Sequence, residues 1–379
     1  MKTLIKNCRL VSPDLDLADA SILIEAGKIT GIFTASSLPA ADRTVDAAGL
    51  TAMPGFVDVH CHGRNNFDFC DALVDGVNTI AREKLAEGVT TLLPTTLTLP
   101  EADLAATLKS VAAYDGKGCK LPGVHLEGPF INPKCTGAQN PAFVRKPDVE
   151  EVKRLNAIYP VLKVSFAVEE EGGDRLCEEL RNLGITPSCV HSAASYGQFK
   201  AGYAKGLRNL SHFCNQMTPL HHRDIGLVGA GLLNDGVFIE FICDKLHISP
   251  DMIALVFKVK DAGHIQLISD AMRASGMPNG EYTLGGLPVI VQGGAARLKE
   301  GGALAGSTLQ IMDALRNVAE ITSLPLKELV KSTSFAQAQA LGLPGIGKLE
   351  PGYQADIVLL TREFKVSKTL VDGEIRYEA

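Results

Sequence analysis

Eight short apolar runs between residues 53 and 345 each stop at a polar residue, and successive stops lie about 20 to 40 residues apart. They are GFVDVH ending at His60, TTLLPT near Thr95, GVHLEG near Glu127 and LKVSFAVE near Glu169. The second half of the stretch adds TPSCVHS near His191, NLSHFCN near His212, VFIEFICD near Asp244 and IQLISDA near Asp270. Helix-like segments separate them, which is the alternation of a parallel sheet whose strands are buried on both faces. Eight units at this spacing predict a closed α/β barrel of the (β/α)8 type. An open doubly wound sheet is the alternative, but no GxGxxG follows the first run to support it.

The two ends read differently. TLIKNCRLV, ASILIEAGKITGIF and RTVDAAGLTAMPG near the start alternate apolar and polar positions, as do ADIVLLT, KVSKTLVDG and EIRY near the finish. Neither set can bury a core alone. Residues 1–52 and 346–379 are therefore expected to join in one small β-sandwich domain flanking a barrel of residues 53–345.

Composition narrows the class of function. The 379 residues are 46% hydrophobic and 21% charged, as in globular proteins, and the net charge of -6 gives no basic footprint for nucleic acid or anionic lipid. No stretch offers the roughly 20 uninterrupted apolar residues that span a bilayer, so no membrane is expected and a cytoplasmic location is the default. Nine scattered cysteines without a CxxC pair argue against a disulfide framework or a cysteine zinc site, and buried reduced thiols are expected.

His60, His62, Glu127, His191, His212 and Asp270 all fall at or just past the C-terminal ends of the apolar runs, where barrel enzymes place their chemistry. In a strand, residues two apart share a face, so His60 and His62 can reach one ion while Cys61 points away. Taken singly, any of these histidines could be a satisfied core residue. Glu127 and Asp270 are harder to dismiss, because an unpaired buried carboxylate is costly. Together they predict a metal centre of imidazole and carboxylate donors, which suits Zn or Fe, with Mn, Co and Ni compatible. Two ions per chain are expected, one held by His60 and His62 and one by His191 and His212, with Glu127 between them and Asp270 near the first. Such a centre would activate a water, and Asp270 could take its proton and pass it to a leaving amine.

PGFVDVHCHG, GVHLEGPFINPKCTGAQNP, SHFCNQMTPLHHRDIGLVG, DKLHISP, LISDAMRASGMPNGEY and ALAGSTL carry a resemblance that covers essentially the whole chain. It resembles the amidohydrolase superfamily and, within it, the N-acetylglucosamine-6-phosphate deacetylases. The resemblance implies a barrel with a small sandwich, and hydrolysis of the acetamido group of N-acetyl-D-glucosamine 6-phosphate to D-glucosamine 6-phosphate and acetate, in amino-sugar catabolism. It also implies that Glu127, His191 and His212 bind metal and that Asp270 is the catalytic acid and base. Some members lack the first histidine pair and hold one ion; His60 and His62 are both present here, which favours two. Gln139, Asn215, Gln216, Arg223 and His247 are implied to bind the sugar phosphate, with Arg223 reaching across a homodimer interface. An arginine suits that task because its planar fork donates two hydrogen bonds to phosphate. His221 and His264 are read as turn residues.

Three departures bear on these expectations. FAVEEEGG at the fourth strand end has no lysine, so Glu127 must do the bridging that a modified lysine does in many amidohydrolases. GAQNP places Gln139 where many relatives have histidine, and a glutamine cannot carry charge. Val190 precedes His191 where many relatives have glycine. Competing readings are a deacetylase of N-acetylgalactosamine 6-phosphate, an amidohydrolase acting on a different amide, and a barrel kept only as a scaffold. The glycines around GGLPVIVQGG and KEGGALAG are compatible with a hairpin insertion or a lid.

Overall fold

The computed structural model describes residues 1–34 and 38–379. All eight apolar runs form parallel strands: β1 (Phe56–Cys61), β2 (Val89–Pro94), β3 (Val124–Glu127), β4 (Val161–Phe166), β5 (Thr186–Cys189), β6 (Asn209–Leu210), β7 (Phe238–Phe241) and β8 (Ile265–Leu267). β1 pairs with β2, and β3 to β8 pair in chain order. Parallel bridges Thr91↔Lys120 and Thr95↔His125 join β2 to the edge of β3, and Cys61↔Ala271 joins the end of β8 back to β1. The ring is closed.

A helix follows each strand: α1 (Val74–Glu83), α2 (Glu101–Ala112), α3 (Val149–Asn156), α4 (Gly173–Asn182), α5 (Tyr196–Ala204), α6 (Gly226–Leu233), α7 (Pro250–Val259) and α8 (Ile311–Thr322). Local chemistry starts several of them. Asp148 accepts from the N–H groups of Glu150 and Glu151 at the head of α3, and Ser249 caps α7 with Pro250 in its first turn. Each such cap stabilises its helix by about 1 kcal/mol. Their apolar faces meet the outer face of the barrel in one large core that includes Val77, Leu104, Leu176, Phe199 and Ile253.

Both chain ends supply one eight-stranded sheet. Thr51–Pro54 lies parallel to Lys2–Ser12 on one side and antiparallel to Ile357–Leu360 on the other, so the last strands complete a sheet begun by the first. Alternation along these strands decides the packing, because successive side chains point to opposite faces. Ala52, Ile357, Leu359 and Leu370 enter the sheet's own core, while Met53, Val358, Leu360 and Val371 enter the barrel core.

A three-stranded antiparallel sheet (Gly280–Leu284, Leu287–Gln292, Ala295–Leu298) is inserted between β8 and α8. The glycine-rich stretch is thus a pair of two-residue hairpins, with Gly285, Gly286, Gly293 and Gly294 all at positive φ as such tight turns require. All nine cysteines are free thiols.

Candidate active site

The barrel interior below its C-terminal mouth is polar but hydrogen-bonded. Asp58 on β1 accepts from the Ser269 N–H at 3.2 Å and from Lys84 Nζ at 3.1 Å, tying β1 to the residues just beyond β8. Ser165, Ser188 and Ser211 form a chain of hydroxyls, with His125 Nε2 2.6 Å from Ser165 Oγ. Pairing of this kind offsets the cost of burying polar groups.

Above that layer the six expected residues converge, all of them buried. His60 and Glu127 sit in the last residues of their strands, whereas three of the others follow a bend in the backbone. His191, His212 and Asp270 follow β5, β6 and β8 at φ of 43°, 29° and 47°. A non-glycine residue in that left-handed region costs about 1–3 kcal/mol, a strain found where function requires it. Glu127 is the hub. Its Oε1 lies 3.5 Å from His60 Nε2, 3.5 Å from His191 Nε2 and 3.1 Å from His212 Nε2, and its Oε2 lies 3.4 Å from His62 Nε2. Asp270 Oδ1 stands 3.5 Å from His60 Nε2 and 3.3 Å from His62 Nε2.

These spacings fit a cation better than they fit hydrogen bonds. Four tetrahedral donors about 2.1 Å from an ion lie about 3.4 Å from one another. Tautomers argue the same way. The Nδ1 atoms of His191 and His212 face the carbonyl oxygens of Cys135 at 2.7 Å and Asn215 at 3.2 Å, which can only accept, so each Nδ1 carries the proton. In the neutral rings the two Nε2 lone pairs then confront each other at 3.2 Å. His60 Nδ1 donates to Glu240 Oε2 at 2.8 Å, and its buried Nε2 has no hydrogen-bond partner among the described residues. Two triads, His60–His62–Glu127 and Glu127–His191–His212, each bring their donor atoms within 4.8 Å and could hold metal.

The electrostatics keep the carboxylates ionised. Burial alone would raise Glu127, but the imidazoles of His60, His191 and His212 hold it well below the usual carboxylate range. Asp270 shows the same contest between burial and the His60 and His62 rings, and it too ends below its ordinary value. Burial pulls the His62 ring down, yet Asp270 and Glu127 outweigh it and leave it raised. For His212 burial wins, reinforced by His191, and the ring is depressed despite Glu127.

A cavity of about 360 Å³ opens over the triads. Gln139, Asn215, Gln216 and His247 line it, together with His62, Glu127, His191, His212 and Asp270. Arg223 does not; within one chain it lies exposed, with Nη1 2.7 Å from His222 Nε2. Gln139 is committed to the scaffold: its Oε1 accepts from the Thr98 N–H at 2.7 Å, which orients its amide so that Nε2 donates to Glu127 Oε2 at 2.6 Å. The Asn215 amide donates to the His212 carbonyl at 3.3 Å, and its own carbonyl fixes the His212 ring. His247 is braced by Asp244, whose Oδ2 takes its Nδ1–H at 2.6 Å. His221 is exposed in its turn, and His264 packs on Phe238 away from the triads.

Sequence reasoning missed two groups. Glu240 in VFIEF and Lys163 in LKVSF are, like Asp58 in GFVDVH, charged residues within apolar runs, a signal that each points into the barrel rather than into its apolar wall. The inserted sheet and the loop after it bring Leu284, Arg297 and Leu304 to the cavity, and Arg297 is the one Lys or Arg side chain lining it among the described residues.

The sequence pattern of the amidohydrolase family matches residues 51–376. The chain belongs to that family. Amidohydrolases are metal-dependent, in keeping with the two triads. This amidohydrolase is 36% identical to the N-acetylglucosamine-6-phosphate deacetylase of Vibrio furnissii over 95% of this chain and 92% of that one. It is 35% identical to the N-acetylgalactosamine-6-phosphate deacetylase of Escherichia coli O157:H7, over 99% of both. Among solved structures, an aspartate-to-alanine mutant of the Mycobacterium smegmatis N-acetyl-D-glucosamine-6-phosphate deacetylase, in complex with N-acetyl-D-glucosamine-6-phosphate, superposes with a TM-score of 0.93. That protein is 28% identical, and the match covers 99% of each chain. Among the described residues no helix is long and apolar enough to cross a membrane.

Proposed function

We propose that this amidohydrolase removes the acetyl group of N-acetyl-D-glucosamine 6-phosphate, giving D-glucosamine 6-phosphate and acetate in amino-sugar catabolism in the cytoplasm. The observation that carries this reading is the pair of buried triads sharing Glu127, with Asp270 beside them at the floor of a cavity sized for a small ligand. Two divalent transition metal ions per chain, zinc or iron, are inferred, one held by His60, His62 and Glu127 and one by Glu127, His191 and His212. When bound, such ions polarise a carbonyl and acidify a water molecule.

The chain's own residues do the rest. Asp270, kept ionised by its histidine neighbours, accepts a proton from the attacking water. As the water oxygen bonds to the acetyl carbon and the C–N bond breaks, the same carboxyl returns that proton to the departing amine, leaving acetate. Gln139 and Asn215 hold Glu127 and His212 in place, and Leu97, Ile242, Leu284 and Leu304 exclude water around the sugar. His247, oriented by Asp244, and Arg297 face the cavity as phosphate-side donors, and Arg223 of a second copy in a homodimer adds a further guanidinium.

The full-length similarity to a deacetylase of the galactosamine epimer favours one second reading, in which N-acetylgalactosamine 6-phosphate is also hydrolysed. Acetate release from both phosphorylated sugars and from unphosphorylated N-acetylglucosamine, with bound metal counted in the same sample, tests both. Rapid release from N-acetylglucosamine 6-phosphate alone supports the first reading, and comparable release from both epimers supports the second. Faster release from the unphosphorylated sugar contradicts the phosphate assignment, and no release from any points to a different amide.

A further inference from the structure

We propose that Glu240, clamped by Lys163, is a positioning residue that governs metal occupancy of the His60–His62–Glu127 half of the centre. This rests on the two-metal reading above.

Glu240 on β7 and Lys163 on β4 are both buried in the barrel interior, paired with each other beneath the triads. Stability alone does not account for them, because a buried ion pair is generally no better than apolar residues of the same volume. What Glu240 touches does. Its Oε2 takes the His60 Nδ1–H at 2.8 Å and lies 3.4 Å from the His212 N–H. Lys163 is paired with the other oxygen, Oε1, which leaves Oε2 facing His60.

Among the described residues, His60 alone of the four rings has a side-chain acceptor at Nδ1. His191 and His212 are oriented at Nδ1 by main-chain carbonyls, and His62 Nδ1 has no partner among the described residues. Without an acceptor at Nδ1, the His60 proton would move to Nε2. There it would meet the waiting oxygens of Glu127 and Asp270, each 3.5 Å away. A ring hydrogen-bonded in that tautomer offers no lone pair to an ion. Glu240 thus keeps His60 a ligand, whereas the rings of the other half take their Nδ1 acceptors from main-chain carbonyls and touch Glu240 only through the His212 N–H.

The test is metal content by elemental analysis after dialysis, with zinc affinities by calorimetry, on wild type and on the double variant Lys163→Met/Glu240→Leu. That variant removes both charges at similar volume, and circular dichroism checks its fold. Two ions are expected in wild type and one in the variant, the lost ion binding about 10–100-fold more weakly. Lys163→Met/Glu240→Gln restores a carbonyl acceptor to His60 and should restore the second ion. A double variant that keeps both ions at wild-type affinity, or loses both together, overturns the proposal while leaving the two-metal reading in place. A wild type with a single ion overturns that reading and the proposal with it. Nitrogen NMR of the metal-free wild type requires no variant: the Nδ1–H tautomer is expected for His60, and Nε2–H would overturn the proposal.

Discussion

The two triads, the halves of the proposed centre, use the same donor types but are held by different parts of the chain. His191 and His212 are fixed by loop backbone. The His191 carbonyl accepts from the Asn132 N–H at 3.1 Å while its Nδ1 donates to Cys135 in the same loop, so ring and loop hold one another. His60 depends instead on charged side chains in the barrel interior. A backbone acceptor survives almost any substitution, whereas a carboxylate can be lost in one. The second half should therefore be the robust one, and the first the one that sequence change can switch off.

The sharpest break is at the residue common to both. Glu127→Ala removes an oxygen from each triad, so both ions should be lost and kcat/KM should fall by about four orders of magnitude or more. Elemental analysis and acetate release check it together, and a variant still holding one ion tightly would show that the halves are independent.

Asp270→Asn probes chemistry rather than binding. Its carboxylate is the proposed proton carrier, and losing it should lower kcat by about 10²–10⁴ with KM for the phosphorylated sugar little changed. Unchanged kcat would move the acid and base role elsewhere in the cavity.

Comparing His191→Asn with His60→Asn then sets the halves against each other. His191→Asn should cost more activity, and His60→Asn should leave one ion in place with part of the activity retained. Equal losses, with one ion gone in each, would remove the asymmetry inferred from the way the rings are held.

Much of this was legible in the sequence because a parallel barrel makes it local. A strand buried on both faces must be an apolar run, and its C-terminal end is where a polar residue can reach the mouth, so GFVDVH, GVHLEG and IQLISDA announce strand and functional group together. What stayed hidden are contacts between segments far apart. Lys163 and Glu240 each look like an isolated charge until β4 and β7 are brought round the same interior. Gln139 reads as a substrate contact by its motif, yet the Thr98 N–H across the cavity wall turns its amide toward Glu127. The inserted sheet could be read only as glycine-rich turns, and Arg297 reaches the cavity because those hairpins fold over the mouth.

The mildest perturbation, pH acting on the metal-free protein, should still separate the halves. His62 faces Asp270 and Glu127 and is raised above the ordinary histidine value. Its favourable contribution is fully present below about pH 6.5 and is lost as pH rises through its higher folded value. His212, buried against His191, is depressed, so the unfolded chain binds the proton more readily and stability falls as pH drops from about 6.5 through its lower folded value. Proton NMR of the ring Cε1–H signals should thus give midpoints on opposite sides of about 6.5, that of His62 above and that of His212 below. A shared midpoint would mean that the two rings feel the same surroundings when no ion is bound. Saturating zinc should suppress both titrations near neutrality, because a ring whose lone pair is committed to an ion has none left for a proton.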